Sequence, residues 1–227
     1  SEDGILYDGS GAKLLYCPSG RTKSVRIRSS ASEISDGAFY GSKAVYIIEI
    51  PSNVTKLGEL AFYKSNVRTL SFGGGIESEP LVIGKCAFAC TSLENMTFES
   101  GSNVSEFDSL AFYDCKKLTS LGLPKTLQKV GYRAFYRCSA LTEVAFADND
   151  GANASLTFGG ETFNYCAKLE TLTLPKQAKN LPGFVGCSSL KNINVSESSL
   201  YLSEQNGAVF DKAQTTLFYF PENATEY

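Results

Sequence analysis

The stretch AFYDCKKLTSLGLPKTLQKVG, residues 111–131, decides the architecture, because its columns recur along the chain. Ala111-Phe112 has counterparts at Ala38-Phe39, Ala61-Phe62, Ala87-Phe88 and Ala134-Phe135, with degenerate ones at Thr162-Phe163 and Gly183-Phe184. Successive Phe residues lie 23, 26, 24, 23, 28 and 21 positions apart. A period of this size marks a solenoid, in which no single unit can bury its own apolar face and each needs its neighbours to do so.

Other columns keep the same register. Five residues before the Phe stands an apolar residue: Ile34, Leu57, Ile83, Phe107, Val130 and Phe158. After it comes a Leu-x-x-Leu-x-Leu pattern, as in Leu118, Leu121 and Leu123, or Leu169, Leu172 and Leu174. The closing apolar-x-apolar alternation is that of a strand with one buried face. Pro51, Pro124 and Pro175 follow three of these strands and end them, since proline has no N–H to donate. The reading is a mainly β solenoid of about seven or eight coils with short parallel strands on the concave face. The Phe rings are expected to stack from coil to coil. The remaining segments, rich in Gly, Ser and Asn, are expected to form short strands, single helical turns or 3₁₀ turns on the convex side.

These columns resemble the BspA-like class of leucine-rich repeats, and Ala111 to Gly131 fits that pattern residue by residue. The likeness covers roughly residues 21–200. It implies a secreted or surface-attached bacterial protein, several members being adhesins or host-interaction proteins.

Composition narrows the function. Hydrophobic residues (43%) and 20 glycines among 227 residues make about 52% apolar, the ordinary globular range. A net charge of −3 suggests neither disorder nor nucleic-acid binding. No apolar run approaches the ~18 residues of a membrane span. Histidine is absent, which removes Ser-His-Asp and Cys-His catalysis and histidine metal sites. Tryptophan is absent too, while 15 Phe and 12 Tyr are present.

The two ends repeat each other. Residues 4–18, GILYDGSGAKLLYCP, match residues 207–221, GAVFDKAQTTLFYFP, at a constant offset of 203. Each reads as a β-hairpin around a polar loop, expected to cover an end of the stack. The whole is read as one domain: a hairpin cap over 1–20, repeats over 21–200 and a second hairpin cap over 201–227. The start without Met or signal peptide fits a processed secreted protein, and a fragment of a longer repeat protein is the competing expectation.

Of seven cysteines, Cys115, Cys138, Cys166 and Cys187 share one column, with Cys90 placed in it after a one-residue deletion. Ser42, Ser65 and Thr91 occupy the equivalent place, so the column reads as small buried residues, not as disulfides or metal ligands. No metal or cofactor is expected. Cys86-x₃-Cys90 alone is a weak zinc signal. Six Asn-x-Ser/Thr triplets, at Asn53, Asn95, Asn103, Asn153, Asn194 and Asn223, read as turn chemistry, with glycan acceptance the alternative. Asp148-Asn149-Asp150-Gly151 reads as a polar turn, because the later ligands of a calcium loop are missing.

Two surfaces are candidates for a partner. The concave face is expected to carry Arg26, Arg28, Ile47, Glu49, Thr69, Ser71, Asn95, Thr97, Glu99, Ser120, Gly122, Glu143, Ala145, Thr171, Thr173, Asn192 and Asn194. Eight strands ~4.8 Å apart would form a track of about 34 Å. This face is small, neutral and polar, lacking aromatic anchors. The alternative is the Tyr column after the Phe: Tyr40, Tyr63, Tyr113 and Tyr136, which either bury their rings with wet hydroxyls or pack against sugar or protein. The function expected is a secreted or cell-surface module that binds a protein, with adhesion to host or neighbouring cells as the specific role. A structural spacer and a glycan-binding module are the rivals. An enzyme is the least expected, because Glu49, Glu99 and Glu143 fall on strands at least two rungs apart.

Overall fold

The computed structural model describes residues 4–20, 24–74, 79–151 and 154–220. Among the described residues there are 19 strands and no α-helix. Each coil has three sides. The first is a strand of the repeat's apolar-x-apolar pattern: β3 (Ser24–Arg26), β5 (Ile47–Ile50), β7 (Thr69–Phe72), β9 (Asn95–Phe98), β11 (Ser120–Leu123), β13 (Glu143–Phe146), β15 (Thr171–Leu174) and β16 (Asn192–Val195). All pairing among them is parallel and in register, Ile48 beside Leu70 beside Met96, and Leu121 beside Val144 beside Leu172 beside Ile193.

One expectation fails here. The eight strands do not form one ladder but two sheets of four, β3-β5-β7-β9 and β11-β13-β15-β16. The break falls between β9 and β11, where the spacing from the ladder Phe to the central strand residue goes from eight (Phe88 to Met96) to nine (Phe112 to Leu121). The opposite step, between Phe39–Ile48 and Phe62–Leu70, nevertheless leaves β5 and β7 fully paired. A recess of about 290 Å³ opens there, between the loops that follow β9 and β11.

The second side is a flanking sheet of short strands: β4 (Glu33–Ile34), β6 (Lys56–Leu57), β8 (Leu81–Ile83), β10 (Val104–Phe107), β12 (Lys129–Val130) and β14 (Thr157–Phe158), all parallel. The N-terminal hairpin, β1 (Leu6–Tyr7) and β2 (Lys13–Tyr16), joins it through β2 beside β4. The C-terminal hairpin, β18 (Ala208–Asp211) and β19 (Leu217–Tyr219), instead pairs with β17 (Leu202–Gln205) in a separate three-stranded sheet. The two loops still match. Asp8 Oδ1 accepts the N–H of Lys13, and Asp211 Oδ1 accepts that of Thr216, 203 positions on. The cap residues 1–3 and 221–227 lie outside the described residues.

The third side holds the Ala-Phe pair and is built from overlapping turns, not from helical or 3₁₀ turns. In the fifth coil Ala134 donates to Gly131 O, Tyr136 to Arg133 O and Cys138 to Phe135 O. The N–H groups between them point along the solenoid. Phe39, Phe62, Phe88, Phe112, Phe135 and Phe163 each donate to the carbonyl of the residue in the Ala column one coil on, at 2.6–3.0 Å. This alternation needs a left-handed residue just before the Ala and another three after it. The first column runs Gly37, Leu60, Cys86, Leu110, Arg133 and Glu161, and the second Gly41, Lys64, Cys90, Asp114, Arg137, Tyr165 and Gly186, all at φ between 54° and 77°. Only the glycines adopt this at no steric cost. The inter-coil hydrogen bonds hold the other residues there.

The core is the expected Phe ladder. Phe39, Phe62, Phe88, Phe112, Phe135 and Phe163 are fully buried and stack with centroids 4.5–5.4 Å apart and planes within 10°. Such pairs contribute about 0.5–1.5 kcal/mol each beyond their area burial. Phe107 meets Phe112 and Phe135 edge-on and ties the flanking sheet to the ladder.

Candidate functional site

The strand face presents the residues that alternation predicts. Arg26, Glu49, Asn95, Thr97, Ser120, Gly122, Glu143, Asn192 and Asn194 are exposed there, and Thr69, Ser71, Ala145, Thr171 and Thr173 are half-buried between neighbours. The break separates the outward residues up to Thr97 from those beginning at Ser120. Glu49 and Glu143 are on β5 and β13, and Glu99 follows β9, where its Oε2 accepts the Gly74 N–H. Intervening strands β7 and β11 keep these three carboxylates on separate rungs.

Arg28 lies past the end of β3, in the turn that follows. Its backbone N–H donates to the Tyr7 hydroxyl at 3.2 Å, and its guanidinium stands 4.5 Å over the Tyr7 ring. The first coil is thereby clamped to the N-terminal hairpin. Between them lies a recess of about 910 Å³, bounded by Ile5, Tyr7, Arg26, Arg28, Ile47 and Glu49 among others. Arg26 and Glu49 are register partners on β3 and β5. Ile47, 52% exposed, is a large apolar side chain at its expected place on a mostly polar face. This end of the strand face thus combines an aromatic ring, both signs of charge and apolar surface.

The cysteine column needs one correction. Thr91, not Cys90, occupies the buried place, being four residues after Ala87 as Cys115 is four after Ala111. The Thr91 hydroxyl donates to Phe88 O at 2.9 Å. Cys115, Cys138, Cys166 and Cys187 donate their thiols to the carbonyls of Phe88, Phe112, Phe135 and Phe163, at 3.1–3.3 Å. Cys90 is instead a left-handed turn residue, as is Cys86. Burial pushes the Cys187 thiol up to about 11 and raises Cys138 and Cys166 as well. These are poor nucleophiles, and all seven cysteines are free thiols.

Asp148 accepts the backbone N–H of Lys176, Asp150 pairs with the Lys176 ammonium, and Asn149 donates to Lys125 O, so these side chains brace a turn. Asn53 and Asn103 likewise bond carbonyls of the preceding coil, at Ala31 and Glu79. Asn153 and Asn223 lie outside the described residues.

The Tyr column is neither core nor continuous. Tyr40 is 53% exposed and tilts on Tyr63, Ala89 interrupts the run, and Tyr113 then stacks on Tyr136 at 5.6 Å. Asn164 follows, and the next ring, Tyr165, comes from the neighbouring column and meets Tyr136 edge-on at 5.1 Å. Arg133 lies 4.9 Å from the rings of both Tyr132 and Tyr136. Its Nε and Nη2 donate to Glu161 Oε2, and Tyr132 donates to Glu161 Oε1 at 2.8 Å. The Tyr132 hydroxyl and then Arg133 hold the Glu161 carboxyl below its usual range. This tyrosine–arginine cluster escapes a reading of one column at a time.

Comparison with known proteins places the fold. A family model described as BspA type leucine rich repeat region matches in six copies, over residues 13–142 and 105–227. The pneumococcal vaccine antigen PcpA is similar in structure, with a TM-score of 0.56 and 22% identity over 96% of this chain. The chain spans about half of PcpA, 48% of its length. The T. pallidum leucine rich repeat protein TpLRR superposes with a TM-score of 0.50 and 25% identity, over 84% of this chain and 73% of that one. None of the curated proteins matches the chain in sequence.

Proposed function

The chain belongs to the BspA-type leucine-rich-repeat family, and from that premise we propose that it is a secreted or cell-surface module that binds a protein on its strand face. The ligand is a protein of a host or neighbouring cell, and the role is adhesion. The observation that carries this reading is the recess of about 910 Å³ at the first two rungs, where Tyr7, Arg26, Ile47 and Glu49 converge. Aromatic, arginine and apolar groups around a concavity are what protein interfaces use for anchors. A surface location is in keeping with the vaccine-antigen character of PcpA.

The spacer reading draws on one fact, the match to only 48% of PcpA, which fits an array inside a longer protein. Glycan binding through Tyr40, Tyr63, Tyr113 and Tyr136 has weaker support, because Ala89 breaks the column and Tyr136 is covered by its neighbours.

The test is binding of the purified chain to arrayed extracellular-matrix proteins and glycans, beside a variant carrying Arg26→Asp, Ile47→Asp and Thr69→Asp. Protein binding lost in the variant supports the strand face. Equal binding by both moves the site elsewhere, and no binding by either favours the spacer.

A further inference from the structure

On the turn side of coils four to six, Arg137 is exposed and its guanidinium lies 5.7 Å from the Tyr136 ring and 5.9 Å from that of Tyr165. Two of the charges near it are paired, although Asp114 Oδ1 is buried without a hydrogen-bond partner. Arg133 is held by Glu161 at 2.9 Å, and Asp114, in the column of Arg137 one coil earlier, by Lys116 at 3.2 Å. Among the described residues no carboxylate lies within ion-pairing distance of Arg137. A chain with net charge −3 therefore offers here an aromatic surface with one unneutralised cation.

We propose that this surface, centred on Arg137 between Tyr136 and Tyr165, is a second docking site, for an acidic polypeptide segment. An arginine laid along rings keeps its N–H edge free and oriented, and a planar fork is suited to a carboxylate. Tyr165 is 45% exposed and Tyr132 42%, which adds amphipathic surface of the kind that anchors protein partners. The geometry favours a polypeptide over a sugar. Stacking on a sugar needs an open ring face, whereas Tyr136 is stacked with Tyr113 and flanked by Arg133, Arg137 and Tyr165. What Tyr136 leaves available is its ring edge and hydroxyl, and beside them stands the guanidinium, which matches a carboxylate on a peptide. The site is separate from the strand face and does not depend on the role proposed there.

The experiment uses the full chain and a short fluorescein-labelled peptide alternating Glu and Ser, read by fluorescence anisotropy at low salt. A Lys-Ser peptide and a sialylated trisaccharide serve as comparison ligands. The expected result is binding of the acidic peptide alone, weakened about tenfold in Arg137→Ala and in Tyr165→Ala. Arg137→Lys is expected to fall between, and Lys212→Ala, at an exposed loop position of the C-terminal hairpin, to leave binding unchanged. Arg137 already sits at φ 62°, so alanine there carries no new backbone cost, and an unchanged melting temperature confirms the fold. Absence of peptide binding, binding indifferent to Arg137→Ala, or preference for the sugar overturns the proposal.

Discussion

Cys138 donates its thiol hydrogen to the main-chain carbonyl of Phe112, 3.3 Å away and one coil earlier. The same bond links Cys115 to Phe88, Cys166 to Phe135 and Cys187 to Phe163. Ser42 and Ser65 share the column, but their buried hydroxyls find no acceptor. A C–O bond is shorter than a C–S bond, and the serine does not reach. Cys138→Ser should therefore bury an unsatisfied hydroxyl and cost about 1–3 kcal/mol. A urea melt that places the serine variant level with the parent would contradict this.

The same thiols set a pH limit. Burial raises Cys138, Cys166 and Cys187 in the folded chain, whereas unfolded thiols ionise near pH ~8.5. Above that pH the unfolded chain binds fewer protons, so stability is full below it and falls as pH rises, for Cys187 until about 11. Melting temperature should drop through this window, and the drop should shrink in a Cys166→Ala, Cys187→Ala double variant. In native chain, Cys86 and Cys90, only partly buried, should be labelled by a thiol reagent before Cys138 and Cys166.

Phe112 stacks on Phe88 and Phe135 and meets Phe107 edge-on. Phe112→Ala opens a cavity in the middle of the ladder and should cost about 3–5 kcal/mol. Because neighbouring coils support one another, denaturation should also lose cooperativity. A small shift of a single sharp transition would count against a continuous ladder.

Gly131 lies against the preceding coil so closely that an added Cβ would stand 2.6 Å from the Asp108 carbonyl carbon. The obstacle is backbone and cannot swing away. Gly131→Ala should destabilise by about 1–3 kcal/mol, measurable by calorimetry.

The matched hairpins supply a reversed case. Gln214 has φ 57°, while Gly11, its counterpart 203 positions earlier, has φ 76°. Gln214→Gly relieves the left-handed cost and should stabilise the C-terminal hairpin by up to about 1 kcal/mol, read as slower amide exchange in β18 and β19.

The Phe ladder, the strand columns and both hairpins could be read from the sequence because each is a period or an offset, and a period is visible in one dimension. The split between β9 and β11 was not, since hydrogen bonding across a gap depends on the path of the connecting chain. Thr91 was legible in the cysteine column, because it stands four after Ala87 without any deletion, and the addition of Cys90 is what the structure removes. Leu60, Cys86 and Leu110 carry no local signal for a left-handed conformation, which the inter-coil hydrogen bonds impose. Arg26 and Glu49 followed from strand alternation. Tyr132, Arg133, Arg137 and Tyr165 did not emerge as a cluster, because the turns draw them from three different columns on two coils.

The most direct test of the proposed binding role is hydrogen–deuterium exchange of the chain with and without a protein captured from the array. The account predicts slowed exchange in residues 24–28 and 47–50, around the recess of Arg26, Ile47 and Glu49. Unchanged exchange in both segments, with protection elsewhere, would contradict it.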